Sequence, residues 1–166
     1  MSGASLNTRV LNQAETTIRN AGPADADAIV TMMEAFYAED DVPFDPRRAD
    51  SAVRQLLEAP DLGRAWIAER HGEIGGYAVL TLGFSLEYMG RDGFVDDLYV
   101  RPGHRGRGIG TAMLGELLGA CQGWRVRALH LEVGRGKAGA QSLYRRFGFV
   151  DHDRLLMTRE LDIPDG

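Results

Sequence analysis

A single cysteine, Cys121, is all the thiol chemistry in these 166 residues, so no internal disulfide can form and a reducing compartment is expected. Apolar runs are short. None approaches the ~20 residues that span a bilayer, and no charged start followed by an apolar stretch opens the chain. No membrane partner and a cytoplasmic location are the resulting expectations. Positive charge is in deficit as well: 19 Lys+Arg against 24 Asp+Glu leave a formal net charge of -5. With no basic face to neutralise phosphates, nucleic acid is not expected as a partner. The four histidines, His71, His104, His130 and His152, lack metal-ligand spacing, and no second cysteine exists for a zinc site, so no metal is expected. Repeats, low-complexity tracts and dividing linkers are missing too. What remains, 44% hydrophobic and 26% charged, suits one soluble core.

The most informative stretch runs from Val95 to Thr111. Val95 to Val100 favour a pleated backbone, and Pro102, which has no N–H for a ladder, ends the strand. Gly103, Gly106, Gly108 and Gly110 then permit positive φ. Ile109, Met113, Leu114, Leu117, Leu118 and Cys121 follow at helical spacing. A helix opened by such a turn aims its first backbone N–H groups at one point, backed by the positive end of its dipole, and phosphate is the natural ligand. Arg105 and Arg107 add full charges. The spacing matches neither a dinucleotide fingerprint nor a Walker loop. A plain strand-to-helix connection with solvated arginines explains the glycines equally well. Cys121 falls on the inward stripe and reads as a small buried hydrophobe.

Taken in order, residues 1–15 read as a flexible tail ahead of one domain covering residues 16–166. A strand from about Thr16 enters, through Pro23, Asp25 and Asp27, a first helix whose Ile29, Met32, Met33 and Phe36 form an apolar face. An acidic and aromatic cluster follows, with Glu34, Tyr37, Glu39, Asp40, Asp41, Phe44 and Asp45 in it; a solvated face and a cation-binding face both fit. A second helix with Val53, Leu56 and Leu57 inward is predicted to be capped by Asp50 or Ser51 and to end at Pro60. Ala65–Glu69 and Ile74–Phe84 read as a hairpin turning at Arg70–Glu73, and Gly83–Gly93, with Glu87 and Tyr88, as an adaptable connecting loop. Ala128–Val133 is a further strand, and Ala140, Leu143, Tyr144 and Phe147 mark a last helix stopped by Gly148. Phe149–Val150 and Leu155–Leu161 are predicted as two final strands. The order β-α-α-β-β-β-α-β-α-β-β implies an α+β fold, with a mixed, mostly antiparallel sheet flanked by about four helices.

Arg105-x-x-Gly108-x-Gly110 resembles the Arg/Gln-x-x-Gly-x-Gly/Ala signature of the GNAT superfamily of N-acetyltransferases, and Ala140-x-x-Leu143-Tyr144-x-x-x-Gly148-Phe149 resembles a second motif of the same superfamily. The likeness extends over about Ile18 to Leu161. It implies acetyl-coenzyme A as co-substrate, with Arg105, Gly106, Arg107, Gly108, Ile109, Gly110 and Thr111 around the pyrophosphate and Leu98, Tyr99 and Val100 along the pantetheine arm. Lys137 stands where the second motif usually has Asn, next to the expected phosphates.

Acetyl transfer to an amine requires a neutral nucleophile, and a primary alkylamine near the lysine value of about 10.4 must first lose a proton. Asp96 and Asp97 lie on the strand before the turn. Asp-Asp-Leu-Tyr-Val resembles the strand of polyamine-type GNAT enzymes, which selects Asp96 as base, with Asp97 and Glu87 behind it; surface ion pairing also accounts for these carboxylates. By the same resemblance Tyr144 protonates the leaving thiolate and touches the cofactor, while a core-packing role suits its apolar helix face. Tyr37, Glu39, Asp40, Glu87 and Tyr88 are the candidate acceptor-binding residues. The implied function is direct transfer of an acetyl group to the primary amine of a small molecule, by a protein that is homodimeric by family habit. A protein or peptide N-acetyltransferase, and a coenzyme A-binding sensor without turnover, are the alternatives.

Overall fold

The computed structural model describes residues 16–161, which fall into two compact units divided between Glu132 and Val133. The first unit holds a sheet of five strands whose spatial order equals their order in the chain: β1 (Thr16–Asn20), β2 (Gly63–Arg70), β3 (Glu73–Ser85), β4 (Gly90–Val100) and β5 (Ala128–Leu131). β1 to β4 pair antiparallel, and β4 and β5 pair parallel, so the sheet is mixed and mostly antiparallel as predicted. Three helices accompany it: α1 (Ala26–Ala38), α2 (Pro46–Glu58) and α3 (Ile109–Gly123). The second unit contains α4 (Ala138–Arg146).

Both sheet faces are used. On one, Ala26, Ile29 and Met32 of α1 and Val53 of α2 bury against Ala65, Ile67, Tyr77, Val79 and Tyr99, the alternate residues of three adjacent strands. On the other, α3 brings Met113 and Ile109 onto Gly76 and Gly75. A Cβ at Gly76 would lie 2.5 Å from the Tyr99 carbonyl and 3.3 Å from Met113 Cε, so the helix approaches as closely as it does because that side chain is missing. Arg19 fastens β1 to the start of α1: its guanidinium donates to both oxygens of Asp25 at 2.7 and 2.8 Å and to Glu69 at 2.8 Å.

Several expectations need correction. α2 begins four residues before the predicted cap: Pro46 occupies its first turn and the Asp45 carboxylate accepts from the Arg47 and Arg48 N–H groups at 2.9 and 3.3 Å, while Asp50 pairs with Arg54 one turn on. Proline pre-set for helix at that position makes Asp45 the better cap. The Gly83–Gly93 connection is a hairpin, because β3 runs on to Ser85, β4 starts at Gly90, and only Leu86–Met89 turn between them. Glycines weaken strand propensity locally, and a long cross-strand ladder overrides them. β5 stops at Leu131 instead of Val133. The two last predicted strands are absent among the described residues: 149–161 carry no ladder, and Leu155, Leu156, Met157 and Leu161 are exposed. Strand propensity expresses packing on a neighbouring strand, and a Leu/Met run with no ladder partner does not become one. The tail predicted for residues 1–15 lies outside the described residues.

Candidate active site

The turn after β4 has the backbone that its glycines foretell. Gly106 and Gly108 adopt φ of +71° and +80°, and a Cβ at either would meet nothing within 4 Å. Backbone conformation, not crowding, demands glycine there, and the surrounding space is open. Gly108 is the left-handed N-cap of α3, and the first intrahelical bond runs from Ala112 N–H to the Gly108 carbonyl at 2.9 Å. The N–H groups of Ile109, Gly110 and Thr111 precede that bond and have no acceptor within the helix. With the 15-residue helix behind them they suit a pyrophosphate.

The two loop arginines differ. Arg107 is exposed. Arg105 donates from Nε to the Val100 carbonyl at 2.8 Å, lies over the Tyr99 ring at 5.6 Å, and forms an ion pair with Glu39, just past the end of α1. Glu39, a candidate for the acceptor, pairs here with the arginine of the glycine turn.

β4 changes partners part-way along. Its parallel pairing with β5 covers Asp92 to Val95, opposite Ala128 to Leu131, and ends there, so Asp96 to Val100 have no β5 residue opposite them. Unpaired strand edge is what an extended pantetheine arm can bond to. At the same place the ladder to β3 slips: Val79 pairs with Asp97 and Leu80 with Val95, leaving Asp96 as the extra residue of a bulge.

The bulge gives the two adjacent carboxylates different surroundings. Asp96 is exposed by surface area yet has protein crowded around it, and this desolvation raises its carboxyl above its ordinary value. Asp97 is 6% exposed; burial pushes its pKa up to about 6, opposed by a hydrogen bond from the Tyr77 hydroxyl at 2.8 Å and a long one from Tyr37 at 3.5 Å. Burial and the nearby Asp97 carboxylate hold both phenols far above their ordinary value, so they remain donors. Rings surround the pair: Tyr99 lies 6.2 Å from Tyr77 and 5.4 Å from Phe36, and Phe44 stands edge-on to Tyr37 at 5.9 Å. A hydrophobic setting with one accessible and one buried carboxylate can accept a proton near neutral pH.

Other sequence candidates lie elsewhere. Glu87 is exposed at the tip of the β3–β4 hairpin, roughly 20 Å along the strand from the bulge at the usual rise, too far to act as a base there. Tyr88, in the same turn, places its ring 5.3 Å from that of His130 on β5. Asp40 is exposed in the turn after α1. Tyr77, the nearest hydrogen-bond donor to Asp97, is not among the sequence candidates. An alternating-strand tyrosine is the only local sign of it, and its pairing with Asp97 depends on the bulge.

In the second unit Lys137 is the N-cap of α4 and makes no side-chain capping bond. Gln141 instead braces the preceding turn, donating from Nε2 to the Gly134 and Arg135 carbonyls at 2.9 and 3.0 Å. The Tyr144–Gly148–Phe149 pattern has a structural explanation. Gly148, at φ +86°, gives its N–H to the Arg145 carbonyl at 3.0 Å, and Phe149 gives its own to Tyr144 at 3.1 Å, closing a Schellman motif with the Phe149 ring 5.8 Å from that of Tyr144. Tyr144 is buried, and burial raises its phenol, which stays protonated at neutral pH.

The sequence model of the Acetyltransferase (GNAT) family matches residues 29–149. The chain belongs to that family. Among its relatives is the L-methionine sulfoximine/L-methionine sulfone acetyltransferase of Pseudomonas aeruginosa, 30% identical over 146 residues that cover 80% of this chain and 79% of the relative. It is also similar to mycothiol acetyltransferase of Nocardia farcinica, 37% identical over 149 residues, 85% of this chain but only 45% of that longer protein. Of the solved structures, an integron cassette protein from the Cole Harbour salt marsh metagenome superposes with a TM-score of 0.80 at 38% identity, covering 96% of this chain and 98% of the other. This GNAT protein is therefore an N-acetyltransferase that uses acetyl-CoA as co-substrate, and the open glycine turn and free β4 edge fit that molecule. No helix among the described residues is long and apolar enough to cross a membrane.

Proposed function

We propose that this GNAT enzyme acetylates the primary amine of a small molecule, by direct transfer within a ternary complex. The bulge carries the reading: it presents Asp96 to solvent beside a buried carboxylate with a pKa pushed up to about 6. Acetyl-CoA supplies an acetyl group activated as a thioester. An alkylammonium drawn to the carboxylates and to the rings of Tyr37 and Phe44 loses its N–H proton to Asp96. The freed lone pair forms the N–C bond as the C–S bond breaks, the thiolate takes the hydroxyl proton of Tyr144, and the second N–H proton, lost as the amide forms, passes through solvent to restore the phenol. The role of Tyr144 rests on the family motif and on a phenol kept protonated by burial. Asp97, held by Tyr77 and Tyr37, orients the site, and desolvation raises the proton affinity of Asp96.

The same reading keeps the enzyme in the cytoplasm, in line with its free, buried Cys121. It also makes the enzyme a homodimer, supported by the exposed apolar residues Leu155, Leu156 and Met157; a monomeric mass by light scattering would remove that part. The acceptor is tested by a screen of free amines and peptides monitored by thiol release. Turnover of a small amine, falling about 10²- to 10⁴-fold in Asp96→Asn, is the expected result. Activity confined to peptides would replace the small acceptor with a protein amine.

A further inference from the structure

Beyond Asp97 the same sheet face continues toward the β3–β4 hairpin and carries a second polar cluster. Val79, which pairs with Asp97, faces α1 and α2; Thr81 and Gly83, two and four residues further along β3, therefore face the same way, and so do their partners Phe94 and Asp92. On β5, His130 lies opposite Phe94. The cluster consists of Asp92, with His130 Nε2 3.6 Å from its Oδ2, and Tyr88, whose ring leans on His130 at 5.3 Å. At 3.6 Å the imidazole is beyond hydrogen-bond length, so it leaves the carboxylate oxygens open to another donor. Both side chains are partly sheltered, with 22% of Asp92 and 32% of His130 exposed. Gly83 keeps the carboxylate accessible, since a Cβ there would lie 2.7 Å from Asp92 Oδ1.

We infer that Asp92, Tyr88 and His130 form an anchoring subsite for a second amino group of the acceptor, which makes the preferred substrates aliphatic diamines. This rests on the small-amine reading above. A carboxylate repels an acidic group and attracts an ammonium, the Tyr88 ring adds cation–π attraction, and the imidazole offers a further hydrogen-bonding atom. Four residues separate Asp92 from Asp96, roughly 13 Å at the usual rise. Allowing about 3 Å for each contact, the two nitrogens of a fitting acceptor stand roughly 7 to 13 Å apart.

The test compares α,ω-diamines of increasing length with n-alkylamines of equal chain length, in the wild type and in Asp92→Asn and Tyr88→Leu. In the wild type the diamines should win by about tenfold or more in kcat/KM, with an optimum length. Asp92→Asn should bring that ratio close to unity, mainly through KM. Tyr88→Leu, in an exposed turn, carries the same test should Asp92→Asn fail to fold, and should also lower the ratio. A wild type indifferent to the second amine or to chain length, or a preference surviving in the folded variants, overturns the subsite while leaving small-amine acetylation intact. Turnover of peptides alone would sink both readings, and it is recognised because no simple amine then reacts.

Discussion

Replacing Tyr77 with Phe isolates the buried part of the carboxylate pair. The hydroxyl donates to Asp97 at 2.8 Å, and this bond opposes the burial that raises the carboxyl from an ordinary 3.8 to about 6. That net shift corresponds to roughly 3 kcal/mol of preference for the protonated acid in the folded state. A folded-state pKa above the unfolded one gives stability that is fully present below pH ~4 and is lost as pH rises through about 6, because the native state binds the extra proton in that window. A hydrogen bond to a charged group contributes about 1.5–3 kcal/mol, so its loss should lift the carboxyl by a further one to two pH units. Urea unfolding of Tyr77→Phe should therefore match the wild type most closely at pH ~4, with the deficit growing to about 1.5–3 kcal/mol at pH ~8. The carboxyl ¹³C shift of Asp97 gives the midpoint directly. A midpoint unmoved or lowered in the variant, or a deficit independent of pH, would refute the reasoning.

Gly108→Trp places a side chain in a left-handed N-cap at φ +80°; acetyl-CoA affinity by calorimetry should fall more than tenfold, and an unchanged affinity would contradict the pyrophosphate cradle. Glu39→Gln frees Arg105 from an ion pair that is 46% exposed on the arginine side. Stability should change by less than about 1 kcal/mol, whereas acetyl-CoA affinity should rise a few-fold; no rise would show that the backbone amides alone hold the phosphates. Asp25→Ala removes the acceptor of two Arg19 hydrogen bonds, which hold its carboxyl below the usual carboxylate range. It should cost about 1–2 kcal/mol at neutral pH in chemical denaturation, a difference that disappears as pH falls through the depressed folded-state value; a deficit that persists in acid would assign the effect to packing.

The turn from β4 into α3 was legible because its determinants are local. Positive φ at Gly106 and Gly108 and the three-four spacing of Ile109, Met113, Leu114 and Leu117 need no distant partner to be read. Apart from the cap of α2, the corrections concern whether a segment finds a strand to pair with. Glycines at 83, 90 and 93 suggested a loop, yet the β3–β4 ladder carries the strands through all three. Leu155, Leu156 and Met157 look like strand residues and find no ladder. The family resemblance selects Asp96 over Asp97, but the residues themselves do not separate the two, because their different surroundings turn on which of them stands opposite Val79.

That register decides more than orientation. On an unbroken strand Val95 and Asp97 would share a face, and Val95 pairs with Leu80, on the face opposite to Val79, where α3 packs. Asp97 would then be forced into an apolar layer without a donor, an arrangement costing several kcal/mol unless the carboxyl stayed neutral. One extra residue at Asp96 reverses the phase. Asp97 turns to the face where Tyr77 and Tyr37 can donate to it, Tyr99 follows it into the α1–α2 core, and Val95 keeps its place opposite Leu80. The extra residue is left at the surface, at the point where β4 outruns β5 and its edge becomes free. A buried carboxylate with phenol donors and an accessible one beside it are thus consequences of the same insertion, set where the pairing with β5 ends, and no side-chain substitution that preserved the regular alternation would supply both.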